Sequence, residues 1–242
     1  MANEFNSLLL GIALALALTA LRNHLFVDKE EATSLVDDAH GWLTRLLVPP
    51  FSQLVPLTSH TMIQSQYIQD EARLNELRDL TLWKECSQAD SFWMDAHQQP
   101  QNVWEELALE IWASREISQK AVGYEYWCNE LEPDYPLTWH IDKDEILFKN
   151  KDILSTPTLG AVYYGYPHVV QGGYLEILKP TGIDPIYVHP ENAGGQVERI
   201  YPEYNRLVIL NVSGWHRVSP ISFGQRYALA VNLWHTRPTF AP

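Results

Sequence analysis

Residues 206–216 read Arg206-Leu-Val-Ile-Leu-Asn-Val-Ser-Gly-Trp-His216. Four consecutive branched aliphatic residues closed by Asn, Ser and Gly predict a buried strand that ends in a turn, with His216 where the next strand begins. Ten positions further on, Arg226-Tyr-Ala-Leu-Ala-Val-Asn-Leu-Trp234 is a second apolar run of strand length. The chain has this character from about Ala121 onward. Further strands are predicted at Tyr124–Leu131, Glu145–Phe148, Leu159–Tyr164, Tyr174–Leu178 and Ile186–His189. Turns fall at Pro180-Thr-Gly182, Asn192-Ala-Gly-Gly195 and Pro202-Glu-Tyr-Asn205. Seven or eight short strands with no helices between them predict a two-sheet jelly roll.

The first half reads differently. Asp28 and Glu31 form a capping box for a helix to about Leu47, which Pro49-Pro50 ends. Apolar residues at near-helical spacing predict further helices over about 66–86 and 102–118. The expected architecture is therefore mainly β, a double-stranded β-helix (jelly roll) core in 121–242 buttressed by the helices of 1–120. With no repeat or low-complexity linker, residues 1–242 are read as a single domain.

Of the 242 residues, 46% are hydrophobic and 19% charged, which fits a folded domain. The net charge of −13 gives no basic stripe for a phosphate backbone, so nucleic acid is excluded as the expected partner. It leaves room for an amino acid, a peptide or a cationic small molecule. Two cysteines, Cys86 and Cys128, exclude a disulfide framework and make a reducing, cytoplasmic setting the expectation. The apolar run Ser7 to Leu21 is shorter than the roughly 20 residues of a membrane span and has no basic residue before it. Burial in the core is expected there over a membrane anchor.

Trp139-His140-Ile-Asp142 supplies an imidazole and a carboxylate at i and i+2, on one face of a strand. His216 is the best third partner among the nine histidines. Two imidazoles and a carboxylate can occupy one face of an octahedral metal, the arrangement used for non-haem Fe(II) and O₂ chemistry. Arg226, a short strand beyond His216, is the cation a dicarboxylate co-substrate would need. Taken singly, each residue has a plainer reading: His216 as a core histidine bonded to a carbonyl, Asp142 as a turn cap, Arg226 as a surface charge. Trp139 and Trp215 are read as core aromatics ahead of pocket walls.

The stretch from about Tyr124 to Trp234 resembles the prolyl-4-hydroxylase-like branch of the 2-oxoglutarate/Fe(II) dioxygenases. The likeness rests on Trp139–Asp142, on Gly160-Ala-Val-Tyr-Tyr164 with Gly172-Gly-Tyr-Leu-Glu176, and on His216-Arg-Val-Ser-Pro-Ile221 with Gly224-Gln-Arg226. It implies His140, Asp142 and His216 as Fe(II) ligands, 2-oxoglutarate as co-substrate held by Arg226 and Tyr164, and O₂ as oxidant. Tyr163 should face the opposite way from Tyr164. Thr158, Ser222, Asn129 and Tyr126 are weaker candidates. The implied reaction is hydroxylation or another oxidation of a C–H bond in a small molecule or peptide, with release of succinate and CO₂. Asp142 in the ligand position argues against halogenation. The alternatives are a non-catalytic jelly-roll binding protein and a cupin-like metal enzyme that uses no oxo-acid.

Overall fold

In a computed structural model, residues 61–133, 135–179, 190 and 195–242 are described, all within the compact unit Leu54–Pro242. The apolar run 7–21, the helix expected after Asp28 and the strand expected at 186–189 lie outside the described residues. No helix among the described residues is long and apolar enough to cross a membrane.

The strands are β1 (Met62–Gln64), β2 (Phe92–Asp95), β3 (Gly123–Leu131), β4 (Leu159–Tyr164), β5 (Val170–Gly172), β6 (Leu175–Lys179), β7 (Gln196–Ile200), β8 (Arg206–Leu210), β9 (His216–Val218), β10 (Ile221–Gly224) and β11 (Arg226–Trp234). The helices are α1 (Glu71–Glu76), α2 (Leu80–Cys86), α3 (Val103–Ala113) and α4 (Glu145–Lys151). A six-stranded antiparallel sheet runs β1-β8-β4-β11-β3-β2. Two smaller pieces, β7-β6-β9 and β10-β5, complete the jelly roll.

Strand alternation divides the large sheet's side chains between two cores. Tyr124, Tyr126, Cys128, Tyr163, Leu207 and Leu229 join Trp83, Leu107, Ile111 and Trp112 of the helices. Their neighbours Tyr164, Val208, Leu210 and Ala228 instead pack with Leu175, Ile200 and Val212 inside the roll. β11 is buried at all nine positions because it is covered on both faces. Its mostly apolar sequence, interrupted only by Arg226 and Asn232, follows from that. Each fully buried large side chain contributes about 1.5–3 kcal/mol, so the helix layer is a principal source of stability.

Several predicted elements change. Glu145–Phe148 is not a strand but the start of α4. Asp144 caps it by accepting from Leu147 N at 2.9 Å, and Lys149 and Lys151 complement the last turn. The helix expected over 66–86 is two short ones, because the Asp79 carboxylate accepts from Thr81 N and starts α2 afresh. The helix expected over 102–118 ends at Ala113, followed by a 3₁₀ turn, Glu116–Lys120. β1 and β2, from the half read as mainly helical, form the two edges of the large sheet.

Candidate metal centre

The turn after β8 places His216. The Asn211 side chain accepts from Ser213 N at 3.0 Å and from Ser213 Oγ at 2.7 Å, an Asx turn that reverses the chain. His216 and His140 then exchange both backbone hydrogen bonds, each 3.0 Å, as an isolated antiparallel bridge. Two residues on, Asp142 N donates to Val212 O at 3.0 Å. The His140-x-Asp142 segment is thus not a regular strand, as the sequence suggested, but a single bridge that still places both side chains on one face.

The three side chains converge. His140 Nε2 and His216 Nε2 each lie 3.5 Å from Asp142 Oδ1, and the imidazole centroids are 4.3 Å apart. Donor atoms about 2.1 Å from an ion and at right angles to one another lie about 3 Å apart, so this spacing needs little contraction to hold one metal. Both Nδ1 atoms face backbone carbonyls, Thr138 O at 2.7 Å and Gly214 O at 2.9 Å. A carbonyl only accepts, so both Nδ1 atoms carry hydrogen, and each ring in its neutral form turns an Nε2 lone pair to the centre. Asp142 Oδ2 accepts from Asn232 Nδ2 at 3.0 Å, which leaves Oδ1 toward the histidines.

Electrostatics follow from this packing. Burial pushes the Asp142 carboxyl up, but the imidazoles of His216 and His140 and the amide of Asn232 outweigh it and hold the group below its ordinary range. Burial opposes charge on His216, yet Asp142 and the Gly214 carbonyl raise it above the usual histidine value. His140 is lowered by burial and by His216. The half-buried Glu125 carboxyl is pushed up to about 7 by burial, with Asp142 adding to the rise.

Arg226 lies on the same interior, 1% exposed, with Nη2 donating to Tyr164 OH at 3.0 Å. Its Nε and Nη1 meet no partner among the described residues. Buried guanidinium N–H groups without acceptors call for an anion. One pocket is lined by His140, Asp142, His216 and Arg226 together with Asn129 and Asn232. The plain reading of Arg226 as a surface charge is therefore overturned. Gly173, at φ +68°, leaves the space a side chain would take beside Arg226 Cδ.

The weaker candidates divide. Asn129 faces the interior and lines the pocket. Tyr126 points to the helix side, where its hydroxyl meets Glu105 Oε1 at 3.2 Å. Tyr163 also faces that side, donating to Asn205 Oδ1 at 3.0 Å. Ser222 is exposed and bonds Gln171 O, and Thr158 sits at the end of the β4–β11 pair remote from Arg226. Trp139 and Trp215 are half-buried, not core, and Trp139 carries the Arg217 guanidinium 4.6 Å above its ring. Sequence reading missed Asn232 and Glu125. The available signal was a lone amide in the otherwise apolar stretch Ala228–Trp234.

No family model matches this sequence, and no curated protein does. Comparison with solved structures finds a prolyl-4-hydroxylase from Pseudomonas putida at 17% identity, covering 72% of this chain and 84% of that one with a TM-score of 0.46. HygX from Streptomyces hygroscopicus, solved with nickel and 2-oxoglutarate bound, matches at 13% identity over 74% and 82% of the chains, TM-score 0.45. An oxidoreductase of the 2OG-Fe(II) oxygenase family from Burkholderia pseudomallei matches at 12% over 74% and 86%, TM-score 0.43. These overlaps are partial and the identities low, and the chemistry proposed for this chain rests on its own residues.

Proposed function

We propose that the chain is a non-haem Fe(II), 2-oxoglutarate-dependent oxygenase that hydroxylates or otherwise oxidises a C–H bond in a small-molecule or peptide substrate. One observation carries this reading. A two-histidine, one-carboxylate set and a buried guanidinium with two unmatched donors line the same pocket.

The donor set fits iron: two neutral imidazole nitrogens and one carboxylate oxygen on one side, with the other coordination positions left for the oxo-acid and O₂. His140, Asp142 and His216 are the proposed ligands. The planar fork of Arg226 suits the remote carboxylate of the oxo-acid, with Tyr164 OH beside it. Bound here, iron with 2-oxoglutarate and O₂ supplies the oxidising equivalents for C–H to C–OH conversion, releasing succinate and CO₂. The protein's own contribution is placement. Asn232 fixes the Asp142 carboxylate, the two carbonyls fix the imidazole tautomers, and Leu175, Leu210, Val212 and Val218 keep the surroundings apolar.

Arg226 favours this reading over a metal enzyme that uses no oxo-acid, and the converging Nε2 atoms favour it over a binding protein without metal. The test is succinate release in air with Fe(II), 2-oxoglutarate and a panel of amino acids, peptides and small metabolites. Stimulated succinate formation that disappears in His140→Ala and Asp142→Ala is expected. Undiminished turnover in either variant, or a thermal shift with metal that ignores 2-oxoglutarate, would sink the proposal.

A further inference from the structure

β3 is paired along its whole length with β11 on one side. On the other side β2 accompanies it only from Gly123 to Tyr126, where Phe92 stands opposite. From Trp127 to Leu131, no strand among the described residues pairs with this second edge. Among the described residues, no backbone hydrogen bond from a loop meets it either. Such an edge is a template for an added strand.

A groove of about 640 Å³ lies on this part of β3. Its walls carry Asp90, Glu130, Glu132 and Tyr135, and among the described residues no basic side chain lines it. Asp90 and Glu132 are exposed, while Glu130 accepts from Tyr227 OH at 2.8 Å. Trp127 and Asn129 line both this groove and the metal pocket, so the two spaces adjoin across β3. An added strand would alternate its side chains as β3 does. One set would lie on the Trp127 and Asn129 face, toward the metal ligands, and the other on the Cys128 and Glu130 face. The carboxylates select the charge of the occupant.

We propose that this open edge is the substrate groove, and that its occupant is an extended peptide segment bearing lysine or arginine beside the residue presented to the metal. The proposal rests on the oxygenase reading for what happens to that residue, but binding itself is separable. The probes are acetyl-Ala-Lys-Ala-Lys-Ala-amide, its glutamate counterpart, and the lysine peptide N-methylated at alternate backbone amides. Binding of each is measured by calorimetry to the full chain, to Asp90→Lys/Glu132→Lys and to His140→Ala, with circular dichroism to establish that each variant is folded.

The lysine peptide should bind wild type and His140→Ala alike, more weakly as salt rises. The charge-reversed variant should lose at least tenfold, the glutamate peptide should not bind, and N-methylation should cost at least tenfold. Retained binding in His140→Ala separates this groove from the metal reading, which succinate release tests alone. The proposal is overturned if the folded wild-type chain does not bind the lysine peptide. It is equally overturned if charge reversal leaves the affinity unchanged, or if the glutamate or N-methylated peptide binds as well.

Discussion

Replacing Asn232 by alanine tests whether the carboxylate is held for a metal. Asn232 is 2% exposed, and its amide is 3.0 Å from Asp142 Oδ2. A hydrogen bond to a charged acceptor contributes about 1.5–3 kcal/mol, roughly one to two decades in an equilibrium constant. Partners that orient metal ligands typically change affinity by about 10–100-fold, so the two estimates agree. In Asn232→Ala, Oδ2 loses its donor, Oδ1 is no longer fixed toward the histidines, and Asp142 loses one of the groups that hold its carboxyl low. The dissociation constant for Mn(II), a redox-inert stand-in for Fe(II), should rise about 10–100-fold. Electron paramagnetic resonance of free Mn(II) during titration reads this directly. A change of less than threefold in a variant with wild-type melting would refute the reasoning. Gly160 offers a companion test. A Cβ there would clash with Val212 Cγ1 and approach Asn232 Oδ1 at 2.7 Å. Gly160→Ala should therefore weaken Mn(II) binding too, and add little to Asn232→Ala.

Arg226→Ala should weaken 2-oxoglutarate binding by at least about 30-fold, since truncating one partner of a buried charge pair costs about 2–5 kcal/mol. An unchanged apparent KM would show that the anchor lies elsewhere. Glu125 gives a pH signature in the metal-free protein. Its carboxyl is raised from 4.5 to about 7, so the folded chain binds more protons than the unfolded one between those values. Stability should fall by about 1–3 kcal/mol as pH rises through this window. Glu125→Gln should flatten the slope in urea titrations at pH 5 and 8, and an equal slope in both proteins contradicts the assignment. Asp144→Ala should lower stability by about 2–4 kcal/mol, because the fully buried carboxylate caps α4 and holds Thr239 through N and Oγ1. A loss below about 0.5 kcal/mol by denaturant unfolding would show that Asp144 is a bystander.

The parts of this fold legible in the sequence are those with a strong period. β11 and β8 are long apolar runs, and the opposite faces of Tyr163 and Tyr164 follow from alternation alone. His140, Asp142 and His216 were readable as a set because i and i+2 share a face and the turn Asn211–Gly214 returns the chain. Glu145–Phe148 misled because Glu-Ile-Leu-Phe is too short to show a period, and the deciding signals were Asp144 before it and the lysines after it. β2 was invisible for the same reason, a four-residue stretch whose strand character comes from pairing with β3. The roles of Asn129 and Tyr126 depend on register, which only the pairing with β11 supplies. Nothing local in the sequence marks where β2 stops, so the open edge of β3 was out of its reach.

The central claim is that one pocket holds Fe(II) on His140, Asp142 and His216 and a 2-oxo acid on Arg226. Adding 2-oxoglutarate to the Fe(II)-loaded chain without oxygen should produce a weak visible metal-to-ligand charge-transfer band. The band should saturate at one equivalent, be absent in Asp142→Ala, and require far more 2-oxoglutarate in Arg226→Ala. A folded wild-type chain that binds Fe(II) yet gives no band at saturating 2-oxoglutarate would contradict the account.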